Sequence, residues 1–149
     1  MRGNPMKPRE DLHISKLGYR LIPAEEYFHL GIERTIEIVR ERVGDLPLYI
    51  TLDLDVLDPA DAPAVANLEP LHAGLRASDV MKIFHGLRGL DVIGADIVCM
   101  IPSKDNPNNI TAMNAMALMF EMISLIADGL HAKGGNQRGS ARDAQLAKL

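Results

Sequence analysis

Asp53, Asp55 and Asp58 stand in the run Asp53-Leu54-Asp55-Val56-Leu57-Asp58-Pro59, straight after the apolar segment Leu48-Tyr49-Ile50-Thr51-Leu52. Carboxylates at the end of what reads as a buried strand need a partner, because desolvating an unpaired charge costs several kcal/mol or more. Residues two apart on a strand share a face, so Asp53 and Asp55 are placed to converge on one object. A hard or borderline divalent cation is the most economical such object. The alternative is a set of solvated loop acids with a turn cap among them, and Asp58, followed by Pro59, suits that role. The spacing superficially matches the start of a calcium-binding loop. That loop needs Gly sixth and Glu twelfth, where this chain has Asp58 and Ala64, so it is rejected.

Several elements must position these residues. Residues 1 to about 16 are polar and punctuated by proline, and read as an irregular arm. Residues 19–22 read as a short strand ending at Pro23, which then opens a helix with Glu25 and Glu26 in its first turn. Ile32, Ile36, Val39 and Val43 follow helical spacing up to Gly44. A strand over 47–53 precedes a long loop through Pro59, Pro63 and Pro70, and Ser78 or a neighbour is expected to cap the next helix. A second apolar strand spans about 90–98, and a loop rich in Pro and Asn leads to a helix from about 111 to 130. Alternation of strand and helix predicts an α/β domain with a parallel sheet and helices on both faces. Ligands of such sheets bind at the carboxyl ends of the strands, where the Asp cluster and the segment from Cys99 to Asp105 both fall. The predicted division is a domain over 1–130 and a flexible tail over 131–149, whose Gly, Ser, Asn and Gln content drives that expectation.

Composition narrows the class. A chain of 149 residues with 47% hydrophobic content fits one globular domain with a largely aliphatic and Met core. A formal charge of −4 with scattered basic residues argues against a nucleic-acid partner. No apolar run is expected to span a bilayer, and Met1-Arg2-Gly3-Asn4-Pro5 lacks the apolar core of a signal peptide. The single Cys99 excludes a disulfide framework and points to a reducing, cytoplasmic setting.

The run from Tyr49 to Pro63 resembles the second metal-binding signature of the ureohydrolases, the family of arginases, agmatinases, guanidinobutyrases and formiminoglutamases. Glu69-Pro70, Gly74-Leu75, Gly94-Ala95-Asp96-Ile97-Val98, Pro102, Asp105 and Thr111-Ala112 come in the family's order, and Arg2-Gly3 and Ala24-Glu25-Glu26 agree with it. The resemblance covers about residues 2–130 and is nearest to the agmatinase branch. It implies an arginase-like fold, of which this chain corresponds to the carboxyl-terminal half. It also implies a hydrolase of linear amidines, in which two Mn²⁺ ions hold a bridging hydroxide that attacks a guanidino compound and releases urea and an amine. Carboxylate ligands do not separate Mn²⁺ from Ni²⁺ or Fe²⁺. Assembly into homo-oligomers, trimers or hexamers, is the family habit.

Residue by residue, the resemblance makes Asp53 a bridging ligand and Asp55 a ligand of one ion, while Asp58 supports the loop. His72 lies in a site-side loop and is a candidate for the substrate pocket, and Asp105 is a candidate for the substrate pocket or for loop support. The family's upstream ligands, a His in Gly-Gly-Asp-His and the cluster Asp-Ala-His-x-Asp, have no counterpart among His13, His29, His72, His85 and His131. An incomplete set of ligands should bind metal weakly, so the chain alone is expected to be inactive. Cys99 stands where arginases and agmatinases carry a Glu that grips the guanidinium. A thiol cannot give a carboxylate's charge-assisted bidentate contact, which points to a different or smaller guanidino substrate. The bland alternative for Cys99 is a small buried residue at a strand end. Ala64-Val65-Ala66-Asn67-Leu68 and Leu71-His72-Ala73 also depart from the family's pattern. The competing expectation is a non-catalytic ureohydrolase-like subunit, or a truncated product, acting through oligomer contacts.

Overall fold

The structure, a computed structural model, describes the backbone of residues 18–67 and 74–146 and the side chains of 18–67 and 74–131. The expected irregular arm, the Glu69-Pro70 match and His72 lie outside the described residues. The elements run α1 (Ala24–Val43), β1 (Leu48–Asp53), α2 (Ala77–Gly86), β2 (Val92–Val98) and α3 (Ile110–Leu146). β1 and β2 pair in parallel, with Thr51 opposite Asp96 and Asp53 opposite Val98. The α/β prediction is met. The strand expected over 19–22 is not formed: this stretch carries no regular secondary structure, and among the described residues no strand lies beside it to complete a ladder.

Helix α1 begins after Pro23, carries Glu25 and Glu26 in its first turn and Arg40 and Arg42 in its last, and stops where the Gly44 N–H reaches the Arg40 carbonyl at 2.9 Å. Both ends complement the helix dipole. The helix is broken at Gly31, whose φ of +77° only glycine adopts without strain. Helix α2 is not capped by Ser78. Arg76 is the N-cap residue, and Asp61 accepts the Ala77 N–H at 2.8 Å from sixteen residues upstream. A β-carbon on Gly86 would run into Ile36, so this glycine sets how closely α1 and α2 approach.

Leu52, Leu54, Leu57, Val65, Val80, Phe84, Val92, Leu118, Met122 and Leu125 form one core. It is the aliphatic and Met core the composition predicts, and each fully buried side chain contributes about 1.5–3 kcal/mol. Leu48, Ile50 and Leu52 face it from β1, while Tyr49, Thr51 and Asp53 are exposed on the other face. That second face, which helices were expected to cover, is open among the described residues. Tyr49 lies across Gly94, where a β-carbon would come within 2.8 Å of its ring. Its hydroxyl donates to Asp96 at 2.9 Å, as Thr51 does at 2.6 Å.

Helix α3 corrects two expectations. Its backbone continues to Leu146 instead of giving way to a flexible tail after residue 130. Each interior glycine costs about 1 kcal/mol, but extending a helix already nucleated by a packed segment is far easier than starting one. Ile110–His131 is also long and apolar enough to cross a membrane by length and composition, with 22 residues and mean hydropathy 1.7. Isolated polar residues such as Asn114 and Ser124 hide this from a count of unbroken apolar runs. Here the helix builds its Leu118, Met122 and Leu125 side into the core. The buried Glu121 carboxylate is paired there, with Arg88 at 2.8 Å and His85 Nε2 at 3.4 Å.

Candidate metal centre

Parallel pairing puts the carboxyl ends of β1 and β2 side by side, and the segment leaving each strand closes over that end. After β1 the chain tightens into a 3-10 turn, Leu54–Val56, whose N-cap is Asp53: its Oδ1 accepts the Asp55 N–H at 2.9 Å. After β2, Cys99 adopts a φ of +70°, a left-handed conformation that is uncommon for a residue with a side chain. The loop from 58 to 67 is stitched to this second strand end. Ala66 donates to the Cys99 carbonyl at 3.1 Å, and Ile101 donates to the Ala64 carbonyl at 2.8 Å. Thr111 Oγ1, fully buried, accepts the Ala64 N–H at 3.0 Å and ties the loop to α3.

This folding brings Asp53, Asp55 and Cys99 together, with one ligand atom from each lying within 4.8 Å of the others. Asp53 is exposed and the other two are half-buried. Asp55 is held by Asn67, whose side-chain amide donates to Oδ2 at 2.7 Å and whose backbone N–H donates to Oδ1 at 3.3 Å. The Cys99 thiol is pushed up to about 11 by its hydrogen bond to Asp53, by burial and by the charges of Asp53 and Asp55. Two carboxylates thus keep the sulfur protonated, and cation binding reverses that bias, because a coordinated thiol is deprotonated.

The other predicted residues do different work. Asp58 Oδ1 accepts the Ala60 N–H at 2.9 Å, closing a turn. Gly74 packs on the backbone of Leu57 and Asp58 so closely that a β-carbon has no room. Asp105 lies outside the three-residue group and starts α3: Oδ1 accepts from Asn106 and Thr111, and Oδ2 from Ala112 at 3.0 Å. Burial opposes its charge, but the amides of Ala112, Thr111 and Asn106 and the Thr111 hydroxyl outweigh it and hold the carboxyl below the usual range. Two residues carry more than their sequence context signals. Asn67 orients Asp55, and Asp61 joins the loop to α2 through the Ala77 N–H and an ion pair with Arg76 at 2.8 Å. A cavity of about 320 Å³ beside Asp45 and Asp91 lies at the amino ends of the strands, away from this cluster.

The donor set fits a cation. Two carboxylates and a sulfur at this separation need only small side-chain rotations to reach bonds of about 2.0–2.3 Å. Among the described residues it supplies three donors, enough to hold one ion and too few for two.

Known proteins resemble this chain in sequence and in fold. The model of the arginase family matches residues 2–124. Guanidinopropionase of Pseudomonas aeruginosa is 38% identical over 128 residues, covering 86% of this chain and 39% of that protein. An agmatinase of Neisseria meningitidis is 35% identical over 113 residues, covering 76% of this chain and 36% of its own length. The proclavaminate amidino hydrolase of Streptomyces clavuligerus superposes with a TM-score of 0.73 at 30% identity, covering 81% of this chain and 40% of that one. The chain therefore spans about two fifths of the length of these relatives and is a partial domain of their fold. Members of the family are binuclear metal enzymes. With its carboxylate pair at the strand ends and the family's pattern running through most of its length, this chain belongs to the arginase family.

Proposed function

We propose that this chain provides the carboxyl-terminal part of a metal-dependent amidinohydrolase centre acting on a guanidino compound. The observation that carries the proposal is the convergence of Asp53 and Asp55 with Cys99 at the carboxyl ends of two parallel strands. Asp53 and Asp55 hold the cation, Asn67 fixes Asp55, and the loop from 58 to 67 shapes the mouth. A divalent cation bound there supplies a lowered water pKa and Lewis-acid stabilisation of developing charge. Mn²⁺ is the family's ion and the starting expectation for this one. Arginine and agmatine are poor substrates in this proposal, because Cys99 offers a guanidinium no carboxylate to pair with. Relatives named guanidinopropionase and guanidinobutyrase mark the substrate range to search.

The test is complementation. The chain is co-expressed with the upstream segment of the Pseudomonas guanidinopropionase, and urea release is measured with Mn²⁺ and separately with Co²⁺ from guanidinopropionate, guanidinobutyrate, agmatine and arginine. Urea should appear only in the complemented pair, and Asp53→Asn should cut it by about 100-fold or more. Turnover by the chain alone would refute the dependence on further ligands. A folded pair that releases no urea would refute the hydrolase proposal and favour a non-catalytic subunit. The open sheet face and exposed apolar residues on α3 support that second reading.

A further inference from the structure

We propose that Cys99 is itself a metal ligand, so that the half-site is an Asp-Asp-Cys set selective for a thiophilic, borderline divalent cation such as Co²⁺ or Zn²⁺ over Mn²⁺. The inference rests on the metal-centre reading above and adds to it the identity of a donor and of the cation class. Cys99 is the residue after Val98, and Val98 pairs with Asp53. The parallel register therefore fixes the sulfur beside the carboxylate that ends the neighbouring strand. The Cys99 backbone is held there independently of its side chain, since its carbonyl accepts from Ala66 and the flanking Ile101 donates to Ala64. The Cys99 sulfur lies within 4.8 Å of ligand oxygens of both aspartates. A cation seated between two carboxylates at this spacing therefore meets the sulfur as its third neighbour. Coordination forms one sulfur–metal bond as the S–H proton leaves to solvent, and no electron is transferred.

The consequence is a change of selectivity. Oxygen-only sites suit Mn²⁺, whereas a thiolate favours cobalt and zinc beyond the general rise in affinity along the divalent series. Removing the sulfur should then cost affinity for the thiophilic ion far more than for Mn²⁺. Because Cys99 is the single cysteine of the chain, any thiolate signal belongs to it.

The experiment titrates Co²⁺ alone, and separately Mn²⁺ alone, into the metal-free 149-residue chain under reducing conditions. Absorbance is read in the near-ultraviolet thiolate-to-cobalt region, and the alkylation rate of Cys99 is followed in parallel. The expected result is a charge-transfer band that saturates with Co²⁺ and slows alkylation by about tenfold or more. In Cys99→Ser the band is lost and Co²⁺ affinity drops by about tenfold or more while Mn²⁺ affinity changes by less than about threefold. The wild-type band and alkylation decide the matter even if that variant fails to fold. Co²⁺ binding with no band and an unprotected thiol overturns the role of Cys99 and leaves the carboxylate centre standing. Failure of both ions to bind overturns the metal-centre reading along with it.

Discussion

Asp55 owes its orientation to Asn67, which donates to both of its carboxylate oxygens. Each oxygen keeps a second lone-pair site, so these bonds position the carboxylate without using up its capacity to ligate. Partners of this kind are worth about 10–100-fold in metal affinity. Asn67→Ala should weaken cation binding by about tenfold at unchanged fold, because Asn67 is exposed and the core does not use it. Calorimetric titration of the variant checks this, and an unchanged affinity would leave Asn67 a loop-closing role alone. The Asp53–Asp55 pair is legible in the sequence because a strand has a period of two. Asn67 is not, because it reaches Asp55 across a twelve-residue loop whose path no local pattern specifies. The adjacency of Cys99 depends on the register of β1 against β2, which is tertiary information. Strand-end topology brings the segment from Cys99 to Asp105 to the same end of the sheet, but not the sulfur to within reach of Asp53 and Asp55.

Helix starts are where the elements depart most from local rules. α2 and α3 are both begun by carboxylates that lie outside the position just before the helix. Asp61 reaches Ala77 from sixteen residues away, and Asp105 reaches Thr111 and Ala112 from six and seven. Capping rules inspect the residue next to the helix, so Ser78 drew attention while Asp61 did the work. Helix existence and the order of strands survived this, since they rest on long periodic segments. The Asp105 cap carries a pH signature. Its carboxyl titrates below the usual range, so its contribution to stability is fully present above the ordinary carboxylate pKa of about 4 and is lost as pH falls through the lowered value. Asp105→Asn should therefore lower the melting temperature at neutral pH by roughly 2–8 °C. The gap between variant and wild type should close once the pH drops below the native carboxyl's own titration. Thermal melts followed by circular dichroism at pH 7, 5 and 3 and below test the sign, and a gap independent of pH would mean that the ionised carboxylate is not what starts α3.

At the scale of the molecule, the chain exposes surfaces that a lone domain of this size does not leave open. On α3, Met113, Met116, Phe120, Ile123 and Leu130 are 52–72% exposed. They recur at intervals of three, four, three and seven, the spacing of a helix–helix seam. The open face of the sheet presents Tyr49 and Val98, and among the described residues each of its two strands has an unpaired edge. Relatives that this chain spans for only about two fifths of their length have further polypeptide with which to bury the corresponding faces. Without it, apolar surface of this extent drives association. The purified chain should self-associate at micromolar concentration, giving a light-scattering mass well above its 16.3 kDa. Met116→Lys with Phe120→Lys should return it towards the monomer mass, because charges at two neighbouring positions of the seam cannot be buried unpaired. Circular dichroism should be retained in that variant, since neither side chain belongs to the core. A wild-type chain that stays monomeric and monodisperse would mean that these faces are tolerated in water, and would remove the main structural reason for assigning them a partner. Self-association abolished by the double substitution would locate the contact on α3, leaving the sheet face and its strand edges free for whatever completes the ligand set around Asp53 and Asp55.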